Sequence, residues 1–237
     1  MPRKKKQEKP SSSNSVEADA AEHIVEPEEI AGKIVDDMSE EAEEIEHTDN
    51  FMSAGTGGDY SYNIRIPRDR IAALIGVKGK DKKELEECSR SKINVDSQEG
   101  DVTISGRDAV SLYTLREVIL GIARGFSPET AKMLLKPDYM LEIINLKDYG
   151  LDNKKKLARV KSRVIGTGGK ARRVMEELTG TSLSVYGKTI SIIGECTTVP
   201  NARRAIELLI KGSMHSTVFK WLENQKRKER RERQEVW

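Results

Sequence analysis

Two short glycine-containing segments have residue types and spacing that can do chemistry. Ile75, Gly76, Val77, Lys78, Gly79 and Lys80 stand 90 residues before Ile165, Gly166, Thr167, Gly168, Gly169 and Lys170. Each segment has an Ile, then two glycines with two residues between them, then a Lys. Bare backbone at the glycines lets another molecule's main chain come close. If a helix starts at the second glycine, its free N–H groups and its dipole favour an anion there. Lys80 and Lys170 sit just inside that helix, and Lys78 lies within the first segment. The chemistry indicated is a noncovalent grip on the phosphates of a single nucleic-acid strand.

The surroundings rank the two segments. From Lys154 to Arg173 there are nine basic residues (Lys154, Lys155, Lys156, Arg159, Lys161, Arg163, Lys170, Arg172 and Arg173) and no acid. A solvated helix usually mixes signs, so an unmixed run points to a polyanion. The helix after the first segment instead carries Asp81, Glu84, Glu86 and Glu87. Candidate RNA-contacting residues are therefore Gly166, Thr167, Gly168, Gly169, Lys170, Arg172, Arg173, Lys161 and Arg163 at the stronger site. Gly76, Val77, Lys78, Gly79 and Lys80 form the weaker one. Bases could lie over Ile165, Val174, Leu183 and Val185, residues that the core also needs.

Other chemistries fit less well. A Walker loop needs four residues between its glycines and a hydroxyl after the Lys, and neither segment has them. Gly166 to Ala171 resembles a dinucleotide fingerprint, but a basic helical segment precedes it where a strand is required. His215 has no nucleophile or ligand constellation near it, which leaves capping or packing. No carboxylate pair sits in an apolar frame that would raise a pKa for acid–base work. Cys88 and Cys196 have no partners at ligand spacing, so neither a disulfide scaffold nor a zinc site is expected. Tyr60 and Tyr62 could stack on a base or pack at a strand edge.

The elements that must position these segments form an internal repeat. From Ile75 to Val95 the register with Ile165 to Val185 holds without a gap, with seven of 21 positions identical. After a two-residue shortening, Val102 to Gly106 matches Ile190 to Gly194. In the first copy Asn63 to Ile66 alternates as a strand that Pro67 ends, and Asp69 to Ile75 reads as a short helix. A second helix follows to about Ser91. Lys92–Val95 and Val102–Ser105 read as strands, and Asp108–Arg124 as a helix with Leu115, Val118, Ile119 and Ile122 on one face. The second copy opens with a strand at Met140–Leu146, and its first helix, around Leu151–Ile165, looks longer. Ser127 and Pro128 start a linker helix as N-cap and first helical residue.

The order in each copy is β-α-α-β-β-α, and a Gly-x-x-Gly break between its two short helices is the core of a KH domain, whose loop clamps about four nucleotides. The expected fold class is α+β: two tandem type I KH domains at 60–126 and 139–214, joined by a linker helix at 127–138. Residues 215–237 read as a charged C-terminal helix, laced by Glu223–Arg227 and Glu229–Arg233 pairs.

The net charge of +2 conceals a split. Residues 1–59 carry 6 Lys/Arg against 16 Asp/Glu, and residues 60–237 carry 35 against 23. The first stretch reads as a disordered acidic tail, too polar to offset its ordering entropy. Only 5% of the 237 residues are aromatic, so any core must be aliphatic. No apolar run approaches the ~18 residues of a spanning helix, and Met1 to Lys6 lacks the apolar stretch of a signal peptide. A cytoplasmic location with no membrane contact is expected.

The second copy and its surroundings carry a family resemblance. Val160 to Gly166, Glu176 to Gly180, Ser184 to Thr189, Arg124 to Pro128 and His215 to Val218 resemble the Partner-of-Nob KH-domain factors of small-subunit assembly, archaeal type. The resemblance covers about residues 60–230. It implies a non-enzymatic protein, needing no cofactor or metal, that binds single-stranded ribosomal RNA near the 3′ end of the small-subunit rRNA during maturation. It also implies work beside the rRNA-processing endonuclease and dimethyltransferase, and a link to the alpha subunit of initiation factor two. Eukaryotic relatives lack the first glycine loop, whereas Gly76 and Gly79 are both present here. Alternatives are a protein-binding adaptor of the translation machinery, or a KH subunit of an RNA-degrading or transcription-regulating complex.

Overall fold

The computed structural model describes residues 50–52, 60–151 and 153–235. In the first repeat, β2 (Tyr60–Arg65) leads into α1 (Arg68–Ile75), the glycine loop and α2 (Lys80–Ser89). Then come β3 (Lys92–Val95), β4 (Asp101–Gly106) and α3 (Ala109–Ala123). The strands are antiparallel in the order β2-β4-β3. Directly opposed residues share a face, so the pairs Ile64–Val102 and Tyr62–Ile104 set Tyr60, Tyr62 and Ile64 toward the helices. The other face is polar, with Ser61, Asn63 and Arg65 beside Thr103 and Ser105. Asp108 caps α3 by accepting from the Val110 and Ser111 amides, as its residue type favours.

The second repeat copies this frame. It contains β5 (Tyr139–Asn145), α5 (Lys154–Ile165), its own glycine loop, α6 (Lys170–Thr179), β6 (Ser182–Tyr186), β7 (Thr189–Glu195) and α7 (Val199–Ile210). Strand order is β5-β7-β6, again first-third-second. One of the shared glutamates explains its own identity: Glu86 Oε1 accepts from the Ile93 amide and Glu176 Oε1 from the Leu183 amide, both at 2.8 Å. Each bond ties the second helix of its unit to the edge strand. α8 (His215–Glu235) follows and buries Val218 and Leu222 in the second core.

Between the units, Ser127 accepts from the Thr130 amide to start α4 (Pro128–Ala131), which continues as a 3₁₀ turn over Lys132–Leu135. This linker and α3 pack on the outer face of the second sheet. Ile193, on the face of β7 opposite Ile190 and Ile192, is 1% exposed within the first unit's core. Gly121 lies against it, where a Cβ would touch Ile193 Cδ1 at 3.4 Å. Tyr139 and Leu141 join the same contact. The outer face that is polar in the first unit is thus apolar in the second, and the difference docks one domain on the other.

The two type I KH domains, the linker and the C-terminal helix therefore stand as expected, with shifts of one to three residues at some ends. The strand expected at Met140–Leu146 runs from Tyr139 to Asn145, and the helix expected from Leu151 starts at Lys154, where Asn153 caps it. One expectation is corrected: Asn50–Met52, placed in the acidic tail, form β1, antiparallel to the outer edge of β2. An open strand edge presents a row of unpaired backbone groups, and a nearby segment can satisfy them whatever its composition. The rest of the expected tail lies outside the described residues.

Candidate nucleic-acid interface

The second loop is built by the end of one amphipathic helix and the start of another. α5 buries Leu157, Val160 and Val164 at i, i+3 and i+7, the spacing of a core-facing stripe. It ends when the Gly166 amide donates to Ser162 O at 2.8 Å. Gly166 has φ +71, and a Cβ there would lie 2.6 Å from Ala171 Cβ and 2.8 Å from its nitrogen. Only glycine fits where α5 and α6 come this close. Gly168 and Gly169 also have positive φ, but open space lies before them. Thr167, Gly168, Lys170, Arg172 and Arg173 are exposed, so the loop presents main chain at a helix N-terminus flanked by cations. That is the arrangement a phosphate needs.

Not every basic residue of the run joins this surface. Lys161 is 6% exposed on the core side of α5, beside Val160 and Val164. Arg163 is half-buried and donates from Nη2 to Ser213 O at 2.6 Å, while His215 Nε2 lies 2.8 Å from Arg163 O. The two residues knit α5 to the start of α8, which gives His215 its packing role. Lys154, Lys155 and Lys156 are exposed at the opposite end of α5, roughly 15 Å of helical rise from Gly166. The charge immediately at the loop is Lys170, Arg172 and Arg173, with Arg172 Nε 3.5 Å from Glu176. Of the candidate base-contacting residues, Leu183 is core and Val185 packs on it, whereas Ile165 and Val174 are half-buried outside the core cluster.

The first loop has the same backbone. Gly76, Lys78 and Gly79 have φ +69, +55 and +75, against +71, +59 and +76 for Gly166, Gly168 and Gly169. Val77, Lys78 and Lys80 are exposed, with Val77 at 81%. Its charge differs. Lys132 of the linker reaches back 51 residues, its Nζ 2.8 Å from Glu84 Oε2 and 3.4 Å from Asp81 Oδ1. The hydrogen bond from Lys132 holds the Glu84 carboxyl below its ordinary range. Asp81 and Glu84 stand where the repeat alignment puts Ala171 and Val174, so the sequence shows the difference. Lys132 is a long-range partner that no local pattern reveals.

Tyr60 and Tyr62 pack against the first core. Cys88 and Cys196 are free and exposed, and among the described residues no group of His, Cys, Asp or Glu could hold a metal ion. Among the same residues no helix is long and apolar enough to cross a membrane.

Comparison with known proteins agrees with this geometry. A family model described as a eukaryotic type KH-domain (KH-domain type I) matches residues 140–227, and one described as a KH domain matches residues 61–120. The chain is 41% identical over 186 residues to a KH domain-containing protein of Methanocaldococcus jannaschii, covering 76% of this chain and 81% of that one. It is 44% identical to the crystal structure of Dim2p from Pyrococcus horikoshii, with a TM-score of 0.65 over 69% of this chain and 98% of that one. A chain in the crystal structure of an a/eIF2alpha–aDim2p–rRNA complex from the same organism is 42% identical, with a TM-score of 0.68, covering 73% and 97%. Two KH folds in one order, matched along most of the length of these archaeal relatives, make this chain a member of the Partner-of-Nob family of KH-domain ribosome-assembly factors, of the archaeal type that includes Dim2p.

Proposed function

We propose that this protein is a non-catalytic RNA-binding factor that holds single-stranded small-subunit rRNA near its 3′ end during ribosome maturation in the cytoplasm. The observation that carries this reading is the second loop. Its open backbone at Thr167 to Gly169 starts a helix, Lys170, Arg172 and Arg173 surround it, and no acid interrupts the chain from Lys154 to Arg173. Phosphates would sit on the loop, while Ile165 and Val174 offer apolar surface to bases on either side. A structural relative crystallised with a/eIF2alpha and rRNA supports both the RNA ligand and a link to the alpha subunit of initiation factor two. The same reading places the protein beside the endonuclease and dimethyltransferase that act on this rRNA region.

The test is a fluorescence-anisotropy titration with an oligonucleotide from the 3′ end of small-subunit rRNA, a scrambled strand and the corresponding duplex. Preference for the single strand, with Thr167→Asp plus Gly168→Asp costing at least ~2 kcal/mol through lost phosphate contacts and added repulsion, is the expected result. Equal affinity for all three nucleic acids would sink the reading.

A further inference from the structure

The last half of α8 is a helix that the core does not account for. Its inward stripe is Val218, Leu222, Gln225 and Glu229, at i, i+4, i+7 and i+11. Val218 and Leu222 are core. Gln225 and Glu229 line a small cleft between the end of α6 and the start of α7, where Glu229 Oε1 accepts from Asn201 Nδ2 at 2.6 Å. Beside it Lys226 Nζ donates to Glu177 O at 2.7 Å, near the C-terminal end of α6. From Glu223 to Glu235 no residue is apolar, over about 20 Å of helical rise. This stretch mixes signs in sequence, but helical phase sorts them. A step of two residues turns a helix by about 200°, so Arg227 and Arg231 stand on the side opposite Gln225 and Glu229, with Arg230 beside them. All three arginines are exposed. Arg227 has an exposed partner in Glu223, 3.9 Å away, a contact worth little in water. Arg230 and Arg231 make no ion pair among the described residues.

We infer that Arg227, Arg230 and Arg231 form a second RNA contact, which takes the phosphate backbone of a base-paired segment adjoining the single strand. The inference rests on the RNA-binding reading above. Single strands are held by aromatic stacking as well as charge, and Glu223 to Glu235 has no aromatic residue. Protein interfaces centre on apolar or aromatic anchors, and this face has none of those either. A rigid row of cations without anchors suits the rigid phosphate rows of an A-form duplex, which proteins read by shape and backbone. The placement fits the same division. α8 starts beside the second loop, with His215 Nε2 2.8 Å from Arg163 O, and Arg227 lies twelve residues on, about 18 Å of rise away. A strand of about four nucleotides clamped at the loop does not span that distance, whereas a duplex attached to it does.

The experiment uses the full chain and anisotropy with a twelve-nucleotide single strand, the same strand joined at either end to a ten-base-pair hairpin, and the hairpin alone. A hairpin at one of the two ends is expected to raise affinity at least fivefold over the strand alone. Arg227→Gln, Arg230→Gln and Arg231→Gln together remove that gain and make the log–log salt slope shallower by about 2. They leave the strand alone within twofold, and melting is unchanged because Gln is as good a helix former and the positions are exposed. Arg→Lys at the three positions keeps the gain, since a phosphate needs the charge rather than a fork. Four results overturn the inference: no gain from a hairpin at either end, a gain that survives the three Gln substitutions, an equal loss for the strand alone, or tighter binding of a poly-glutamate peptide than of the hairpin at this face. The first two leave the proposed function standing wherever the strand alone still binds and Thr167→Asp with Gly168→Asp still abolishes it. A wild-type chain that binds the hairpin alone but no single strand sinks the proposed function instead, and with it the pairing of a strand site and a duplex site.

Discussion

The hydroxyl of Tyr186 donates to Asp69 Oδ2 at 2.7 Å, joining the end of β6 in the second KH domain to the start of α1 in the first. Around this bond the two domains share a polar seam. Ser184 Oγ donates to Arg124 O at 2.8 Å, and Arg124 Nη1 donates to Thr189 Oγ1 at 3.4 Å. Arg124 is 6% exposed, and burial pulls its guanidinium pKa down. Together with Ile193 in the first core, these bonds make the domains one packed body, so the two glycine loops keep a set spacing.

Gly125 is the tightest point of that seam. Its φ is +96, and a Cβ there would lie 2.7 Å from Ser184 Oγ and 3.2 Å from Tyr186 Cβ. Gly125→Ala adds backbone strain to a clash across the domain boundary, so the expected loss is at least ~2 kcal/mol. Urea denaturation followed by tyrosine fluorescence reads it. A midpoint equal to wild type would show the seam to be soft.

Most of the fold was legible because duplication supplied an internal check. Pro67, Asp108, Ser127 and the glycine pairs punctuate elements by local rules, and each does so in the structure. The docking of the domains was not legible. Ile193 follows Ile192 in a strand that reads as ordinary alternation, and only tertiary packing shows that both faces of β7 are buried. Lys161 and Arg163 were misleading for a related reason. A basic run counts charge without regard to helical phase, and on α5 the phase turns Lys161 into the core side and Arg163 toward Ser213. Asn50–Met52 pair through backbone groups, which composition does not report.

The repeat also exposes a site of local strain. Arg90 ends α2 with φ +51, where its counterpart Gly180 ends α6 with φ +69. A left-handed residue with a side chain costs about 1 kcal/mol relative to glycine at a helix C-terminus. Arg90→Gly is expected to stabilise the chain by ~0.5–1 kcal/mol despite the extra freedom of the unfolded glycine. Thermal melting of the two chains decides, and a lower melting temperature for the glycine variant would refute the assignment.

Arg163 separates a stability role from an RNA role. Its truncation removes the 2.6 Å bond to Ser213 O between α5 and α8. Bonds from a charged donor are worth about 1.5–3 kcal/mol, so Arg163→Ala is expected to lower the melting temperature by roughly 3–12 °C in a chain of this size. RNA affinity should stay within twofold at a temperature where both chains are folded. A large affinity loss with unchanged melting would return Arg163 to the RNA surface.

The salt dependence of binding reports how far the RNA track extends. Near the loop stand Lys170, Arg172 and Arg173; Lys154, Lys155 and Lys156 are at the far end of α5, with Arg159 exposed between. Single-stranded nucleic acid releases about 0.7 counterion per neutralised phosphate. Three contacts at the loop give a log–log slope of about −2 for a four-nucleotide strand. If a longer strand followed α5 to its basic start, the slope would steepen toward about −4 or −5. Titrations from low to moderate salt with strands of four and twelve nucleotides distinguish the two tracks. We expect a slope of about −2 for both, because, of the cations that would bridge the loop to the start of α5, Lys161 is buried and Arg163 is bonded to Ser213 O. A steeper slope for the longer strand alone, flattened by replacing Lys154, Lys155 and Lys156 with Gln, would place the RNA along the helix instead.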